Sequence, residues 1–268
     1  MPGYISTRGA APRLNFADAA LTGLARDGGL YVPEACPQLS GEDLRNMQGQ
    51  NYLEIAWRVI APFVGDDISA QDLIALLQKS YTGFGHPEKT PLRKLRDGFY
   101  VQELFHGPTL AFKDVALQFL GQVFNHILQQ RGQRVTIVGA TSGDTGSAAI
   151  EAFKNSPHAN IVILHPKGRV SDVQRRQMTT VDAPNVRNIA IDGSFDDCQD
   201  LVKAMFGDLA FRDSMQLSAI NSINWARILA QVVYYVYAGV RVQVETGKAP
   251  TFCVPTGNFG NCLLYTSD

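Results

Sequence analysis

The sequence predicts an α/β protein built on a buried parallel sheet. Short continuous apolar runs recur along the chain at Val135–Val138, Ile161–Leu164, Val186–Ile191 and Thr251–Val254. Segments with helical apolar spacing stand between them. The first and last runs each lead into a loop of small residues. Strands that are apolar on both faces must be covered on both faces, and right-handed helical crossovers provide that cover.

Residues 1–88 form a first region, mostly helical after Pro33. Asn51–Val64 places Ile55, Ala56, Val59, Ile60 and Phe63 on one helical face. The next helix starts at Ser69, with Asp72 at the third helical position of a capping box and Ile68 positioned to staple against Leu73. It ends near Tyr81-Thr82-Gly83. The pattern changes near Pro91. Phe99–Leu104 predicts a strand, and Asp114–Gln130 a helix with a wide apolar face. Further helices are expected over Thr145–Lys154, Asp172–Thr180, Phe195–Leu209 and Asn224–Val240, with Ser171 and Gln174 forming another capping-box start.

The 268 residues suffice for one large domain or two modest ones. A formal charge of -1 argues against nucleic acid or an anionic membrane as partner. No run of about 18 apolar residues predicts a membrane span. Cys36, Cys198, Cys253 and Cys262 are scattered, which suits reduced thiols in the cytoplasm. His86, His106, His126, His158 and His165 show no metal-ligand spacing.

The chemistry concentrates at His106-Gly107-Pro108-Thr109-Leu110-Ala111-Phe112-Lys113-Asp114. Lys113 stands between a Gly-Pro turn and an apolar helix, behind Leu110, Ala111 and Phe112. Desolvation there lowers an amine's pKa and leaves it nucleophilic, able to condense with a carbonyl. The loops at Thr141-Ser142-Gly143-Asp144-Thr145 and Gly257-Asn258-Phe259-Gly260-Asn261 each follow an apolar run. Small-residue loops let backbone N–H groups converge on an anion, and a following helix N-terminus strengthens the site. One reactive lysine and two anion cradles suit pyridoxal 5'-phosphate with an amino-acid substrate. Taken singly, each feature also has a plain structural use. Lys113 would be a surface charge, the loops ordinary glycine turns, and Asn221, Ser222 and Asn224 helix caps.

Together these motifs resemble the threonine synthases, in the fold-type-II class of pyridoxal-phosphate enzymes. The resemblance extends to Tyr4–Gly9, Gly23–Pro33, Val173–Thr180 and Asn221–Arg227, and runs from Tyr4 to about Asn261. It implies a tryptophan-synthase-β-like fold with a family N-terminal region at 1–88 and a catalytic core at 89–261. It implies that Lys113 holds the cofactor aldehyde and then shuttles protons, with Phe112 near the cofactor ring. Thr141, Ser142, Gly143 and Thr145 would grip the substrate carboxylate. Gly257, Asn258, Phe259, Gly260 and Asn261 would cradle the cofactor phosphate, and Asn221, Ser222 and Asn224 would lie near the substrate phosphate. Asp144 occupies a position where many class members carry Asn facing the cofactor's ring hydroxyl. A carboxylate there needs a shared proton or a different orientation. The implied reaction converts O-phospho-L-homoserine and water to L-threonine and phosphate, with no metal.

Other lyases of the class, such as threonine dehydratase or cysteine synthase, and a non-catalytic ligand-binding homologue are the rival readings. Lys167, Arg175 and Arg176 are possible phosphate ligands, with a solvated helix face the plainer reading for the arginines. His106 is expected to brace the turn, with a substrate contact as the alternative, and Asp114 to favour the helix dipole from the first helical turn. The family continues beyond this chain's last residue. Residues 262–268, Cys-Leu-Leu-Tyr-Thr-Ser-Asp, match an in-frame translation of a sequencing adapter and are expected to be non-native. A sheet cut short in this way is expected to give a poorly stable, inactive fragment.

Overall fold

A computed structural model describes residues 2–219 and 224–255. In the first region, β1 (Tyr4–Ser6) pairs antiparallel with β2 (Tyr31–Pro33), and α1 (Phe16–Thr22) lies between them in sequence. α2 (Gly41–Asn46), α3 (Tyr52–Val64) and α4 (Ala70–Ser80) follow. The caps explain where they start. The Asn51 side chain accepts the amides of Leu53 and Glu54, and the Glu54 carboxylate accepts the Asn51 amide at 2.7 Å. Ser69 Oγ accepts the Asp72 amide at 3.1 Å, but the Asp72 carboxylate takes the Ser69 hydroxyl instead of closing a full capping box. Ile55, Ala56, Val59, Ile60, Ile68 and Leu73 are buried.

A hairpin of β3 (Leu92–Arg96) and β4 (Phe99–Gln102) precedes α5 (Lys113–Arg131). The remainder alternates as β5 (Val135–Ala140), α6 (Asp144–Phe153), β6 (Ala159–Pro166), α7 (Asp172–Thr179), β7 (Val186–Ile191), α8 (Phe195–Gly207), α9 (Leu209–Ser214), β8 (Leu217–Ala219) and α10 (Trp225–Thr246). The four strands form one parallel sheet in the order β7-β6-β5-β8. Ile137, Ile161 and Ile163 join the main core, which also holds the buried faces of α5 and α6. Val138 instead faces a cavity shared with Phe195, Val202 and Phe206 of α8. Alternate residues of the sheet thus meet helices on opposite faces, as the apolar runs predict.

α5 is buried along a wide face. Val115, Leu117, Phe119, Leu120, Val123, Phe124 and Leu128 are fully buried. Burying a side chain of this kind stabilises by about 1.5–3 kcal/mol. Phe124 meets Phe153 of α6 edge-on at 5.5 Å, and Gly132 ends the helix in the left-handed conformation. Lys113 therefore projects from the start of a rigid element.

The sequence reading differs from the structure at several elements, among them β1, β2, β3 and α1, which it does not predict, and α10, which runs past Val240 to Thr246. Thr251–Val254 forms no strand. A strand needs a hydrogen-bonded neighbour, and this segment instead follows α10, with Phe252 edge-on to Tyr235 at 5.0 Å. The helix expected over Phe195–Leu209 breaks at Asp208, whose extended backbone and carboxylate cap α9 through the Phe211 amide. β8 has three residues, too few to show a period. Among the described residues no helix is long and apolar enough to cross a membrane, and no cluster of metal-ligating side chains occurs.

Candidate active site

Lys113 is the first residue of α5 and is half-buried. The turn before it is held by Asp114. The buried carboxylate accepts the Thr109 amide at 2.8 Å and the Thr109 hydroxyl at 2.9 Å. Burial pushes the Asp114 carboxyl above its ordinary value, while those hydrogen bonds oppose the shift. Asp114 thus braces the turn, a role beyond the helix-dipole one expected of it. Gly107 is required beside it, since a Cβ there would lie 2.3 Å from the Asp114 Cβ. Leu110 takes φ +61° and is 71% exposed, a strained conformation for a branched side chain. His106 Nε2 lies 2.8 Å from the Glu103 carboxylate, a local bracing contact.

The Lys113 amine sits 5.1 Å from the centroid of the Phe112 ring. Among the described residues no carboxylate lies within the 4.0 Å of an ion pair with it. Burial lowers its pKa, the Asp144 charge opposes that, and the Arg227 charge lowers it further. Arg227 is itself buried, in the first turn of α10, and burial brings its guanidinium down to about 10.

The loop between β5 and α6 faces this lysine. Thr141 Oγ1 accepts the Gly143 amide at 3.0 Å and the Gly146 amide at 2.8 Å, curling the backbone around itself. Gly143 occupies the N-cap of α6 at φ 148°, without a side-chain cap. A Cβ on Gly143 would meet the Gln174 amide at 2.3 Å, and one on Gly146 would meet the Met178 sulfur at 2.6 Å. Ser142 is exposed and Thr145 half-buried at the helix start. An uncapped helix N-terminus behind two obligatory glycines suits an anion.

One helix ties the two parts together. Gln174 Nε2 of α7 donates to Asp144 Oδ1 at 2.6 Å, and Gln177 Nε2 donates to the Thr109 carbonyl at 3.0 Å. Asp144 Oδ1 thus turns toward Gln174. Sequence reasoning missed Arg227, Gln174 and Gln177 as parts of the site. The signal available was their place in the Val173–Thr180 and Asn221–Arg227 motifs.

Other expected ligands are placed elsewhere or used up. Asn224 is buried and caps α10 through the Ala226 amide, and its Nδ2 donates to the Ala20 carbonyl at 2.8 Å. It is a structural cap and not an open ligand. Arg175 and Arg176 are exposed, with Arg175 paired to Asp172 at 3.3 Å, and Lys167 is exposed. Asn221, Ser222, Gly257, Asn258, Phe259, Gly260 and Asn261 lie outside the described residues, as does the 262–268 tail.

Two cavities approach the lysine without being lined by it. One, of about 820 Å³, reaches Thr141, Ser142 and Thr145 and is bordered by Arg26, Lys203 and Arg212. The other, of about 880 Å³, lies between the β3–β4 hairpin and α10 and reaches Phe112. Hydrogen bonds from α7 join the lysine turn and the glycine loop outside either void.

Residues 84–263 match the model of the pyridoxal-phosphate-dependent enzymes. Residues 3–81 match the threonine synthase N terminus. The chain belongs to the threonine synthase family. It is 54% identical over 258 residues to threonine synthase of Pseudomonas aeruginosa, covering 96% of this chain and 55% of that protein. To the Schizosaccharomyces pombe threonine synthase it is 49% identical, covering 97% of this chain and 52% of that one. The solved structure of pyridoxal-phosphate-bound threonine synthase from Brucella melitensis superposes with a TM-score of 0.91 at 52% identity, over 98% of this chain and 56% of that chain. The chain thus spans about half the length of the relatives it matches.

Proposed function

We propose that this chain carries the lysine and carboxylate-binding part of a threonine synthase site, which converts O-phospho-L-homoserine and water to L-threonine and phosphate. The observation that carries the reading is a half-buried lysine amine, free of an ion pair, beside a glycine-lined helix N-terminus. The residues fit pyridoxal 5'-phosphate. Lys113 offers a desolvated amine for its aldehyde carbon. Gly257, Asn258, Phe259, Gly260 and Asn261 are assigned to its phosphate on the family resemblance alone. Phe112 is assigned to its ring side, supported by the 5.1 Å spacing to the lysine amine.

When bound, the cofactor supplies an electron-withdrawing ring that makes the substrate Cα and Cβ hydrogens acidic. Lys113 Nζ is the base that takes the Cα proton and then the Cβ proton, and it returns protons after phosphate leaves Cγ and water adds at Cβ. A base must be neutral before it acts, and burial together with Arg227 favours the neutral amine. The Ser142 and Thr145 hydroxyls and the open amides at the start of α6 hold the substrate carboxylate. Asn221 and Ser222 are placed near the substrate phosphate on resemblance, whereas the Asn224 amide is already engaged.

Borohydride reduction in the presence of pyridoxal phosphate, followed by peptide mapping, tests the lysine. A pyridoxyl group on Lys113 is expected, and its appearance on another lysine overturns the assignment. In a protein that carries this chain together with the rest of the family's length, phosphohomoserine is expected to release inorganic phosphate, and ammonia release from threonine without phosphate release would favour a dehydratase.

A further inference from the structure

We propose that Gln174 is a positioning residue that keeps the Asp144 carboxylate off the Lys113 amine, so that the amine stays free of an ion pair. Asp144 is near enough for its charge to act on Lys113, yet the two do not pair. In a partly desolvated site the attraction between a carboxylate and an ammonium is much stronger than in water. A carboxylate free to turn would close on the lysine, hold it protonated and remove the base. Gln174 competes for that oxygen with a short hydrogen bond of 2.6 Å and adds no charge of its own.

The glutamine is built in, not incidental. Its Oε1 accepts the Ser171 hydroxyl at 2.8 Å, which aims its Nε2 at Asp144. Its amide packs where a Cβ of residue 143 would stand, so only glycine there lets it reach. The helix beneath it is fixed at two further points. Met178 is buried under Gly146, and Gln177 holds the Thr109 carbonyl of the lysine turn. The charged groups that act on Lys113 are Asp144 from α6 and Arg227 from α10. The Asp114 carboxylate beside it on α5 is turned into the Thr109 turn. α7 presents only neutral amides to the two loops, and a lysine or arginine at 174 would bring a rival cation.

The proposal rests on the reading of Lys113 as the reacting amine, but its test needs no cofactor. Lys113 is labelled with an amine reagent across a pH series in protein freed of pyridoxal phosphate, and the labelled peptide is quantified by mass spectrometry. Gln174→Ala is expected to move the labelling midpoint upward and slow labelling near pH 8 by about tenfold, the size of effect expected when a carboxylate closes on a cation. Gln174→Leu, which keeps the packing on Gly143, is expected to do the same. Adding Asp144→Asn to either should restore labelling to the parent rate or faster. Unchanged or faster labelling in both single variants overturns the proposal, as does equally slow labelling in the double variants. A purely structural glutamine would lower the urea midpoint without moving the labelling midpoint. If borohydride trapping fails while the labelling shift appears, the functional reading falls and the positioning role stands.

Discussion

Thr141→Val is the sharpest test of how the carboxylate loop is made. Thr141 is 2% exposed, and its hydroxyl serves two amides and one carbonyl within the loop. Valine keeps the shape and removes the polar atom. The Gly146 amide retains a second acceptor, the Gly143 carbonyl at 3.0 Å. The Gly143 amide loses the acceptor it has, and an orphaned buried amide costs about 1–3 kcal/mol, with about 0.5–1.5 more for the hydrogen bond to Gly146. A methyl group also cannot sit where the oxygen lies 2.8 Å and 3.0 Å from two nitrogens, so the loop must open. The expected loss is roughly 2–4 kcal/mol. Thr141→Ser keeps the bonds and loses one methyl, which costs about 1 kcal/mol. Urea unfolding at equal slope measures both. If valine proves as stable as serine, the hydroxyl does not hold the loop and the reasoning fails.

Other outcomes follow from the same geometry. Lys113→Met is expected to abolish borohydride trapping yet stabilise the fold at neutral pH. Burial holds the folded lysine below its unfolded value, so between the two values the unfolded state binds more protons and the parent's stability rises with pH. The methionine gain in urea midpoint should therefore be full below the folded value and fade as pH climbs toward about 10.4, and a gain constant with pH would refute it. Leu110→Gly removes a left-handed strain of about 1–2 kcal/mol at the cost of about 0.5–1 kcal/mol of chain entropy, so a small rise in Tm is expected. Gly121→Ala would place a Cβ 2.6 Å from the Ala152 carbonyl oxygen of α6, and a loss of about 1–3 kcal/mol is expected in chemical denaturation.

What was legible in the sequence is what local chemistry dictates. The lysine turn, the glycine loop and the helix starts at Asn51, Ser69 and Ser171 each need particular residue types a few positions apart. Gln174 was legible as a cap because Ser171 is three residues away, but its bond to Asp144 spans 30 residues and leaves no local trace. Arg227 gives no sign of its burial in a window of its own helix, because tertiary packing around α10 creates it. The Thr251–Val254 run has the composition of a strand, but a strand is a property of two segments, and only one was in view. Asn224 shows the converse. Its family motif suggested a ligand, and its position before a helix suggested a cap. The structure uses both ends of its amide for capping and for holding α1.

The electrostatics of the site come from how the helices are aimed. Lys113 opens α5, Asp144 opens α6 and Arg227 lies in the first turn of α10, so the charges that act on the amine stand at the starts of two other helices. Each positive helix end disfavours a cation and favours an anion, by about 0.3–1 kcal/mol when exposed and up to about 2 when partly buried. Desolvation acts in the same direction on the lysine. A field that leaves the amine neutral is also one that draws in a carboxylate or a phosphate, so base strength and anion binding arise from one arrangement. The same field pulls on the carboxylate of Asp144, which, unlike that of Asp114, is not folded into the Thr109 turn. A site built this way must restrain that carboxylate or lose its base, and the neutral amide of Gln174, itself two residues into the first turn of α7, meets that need without adding to the positive field.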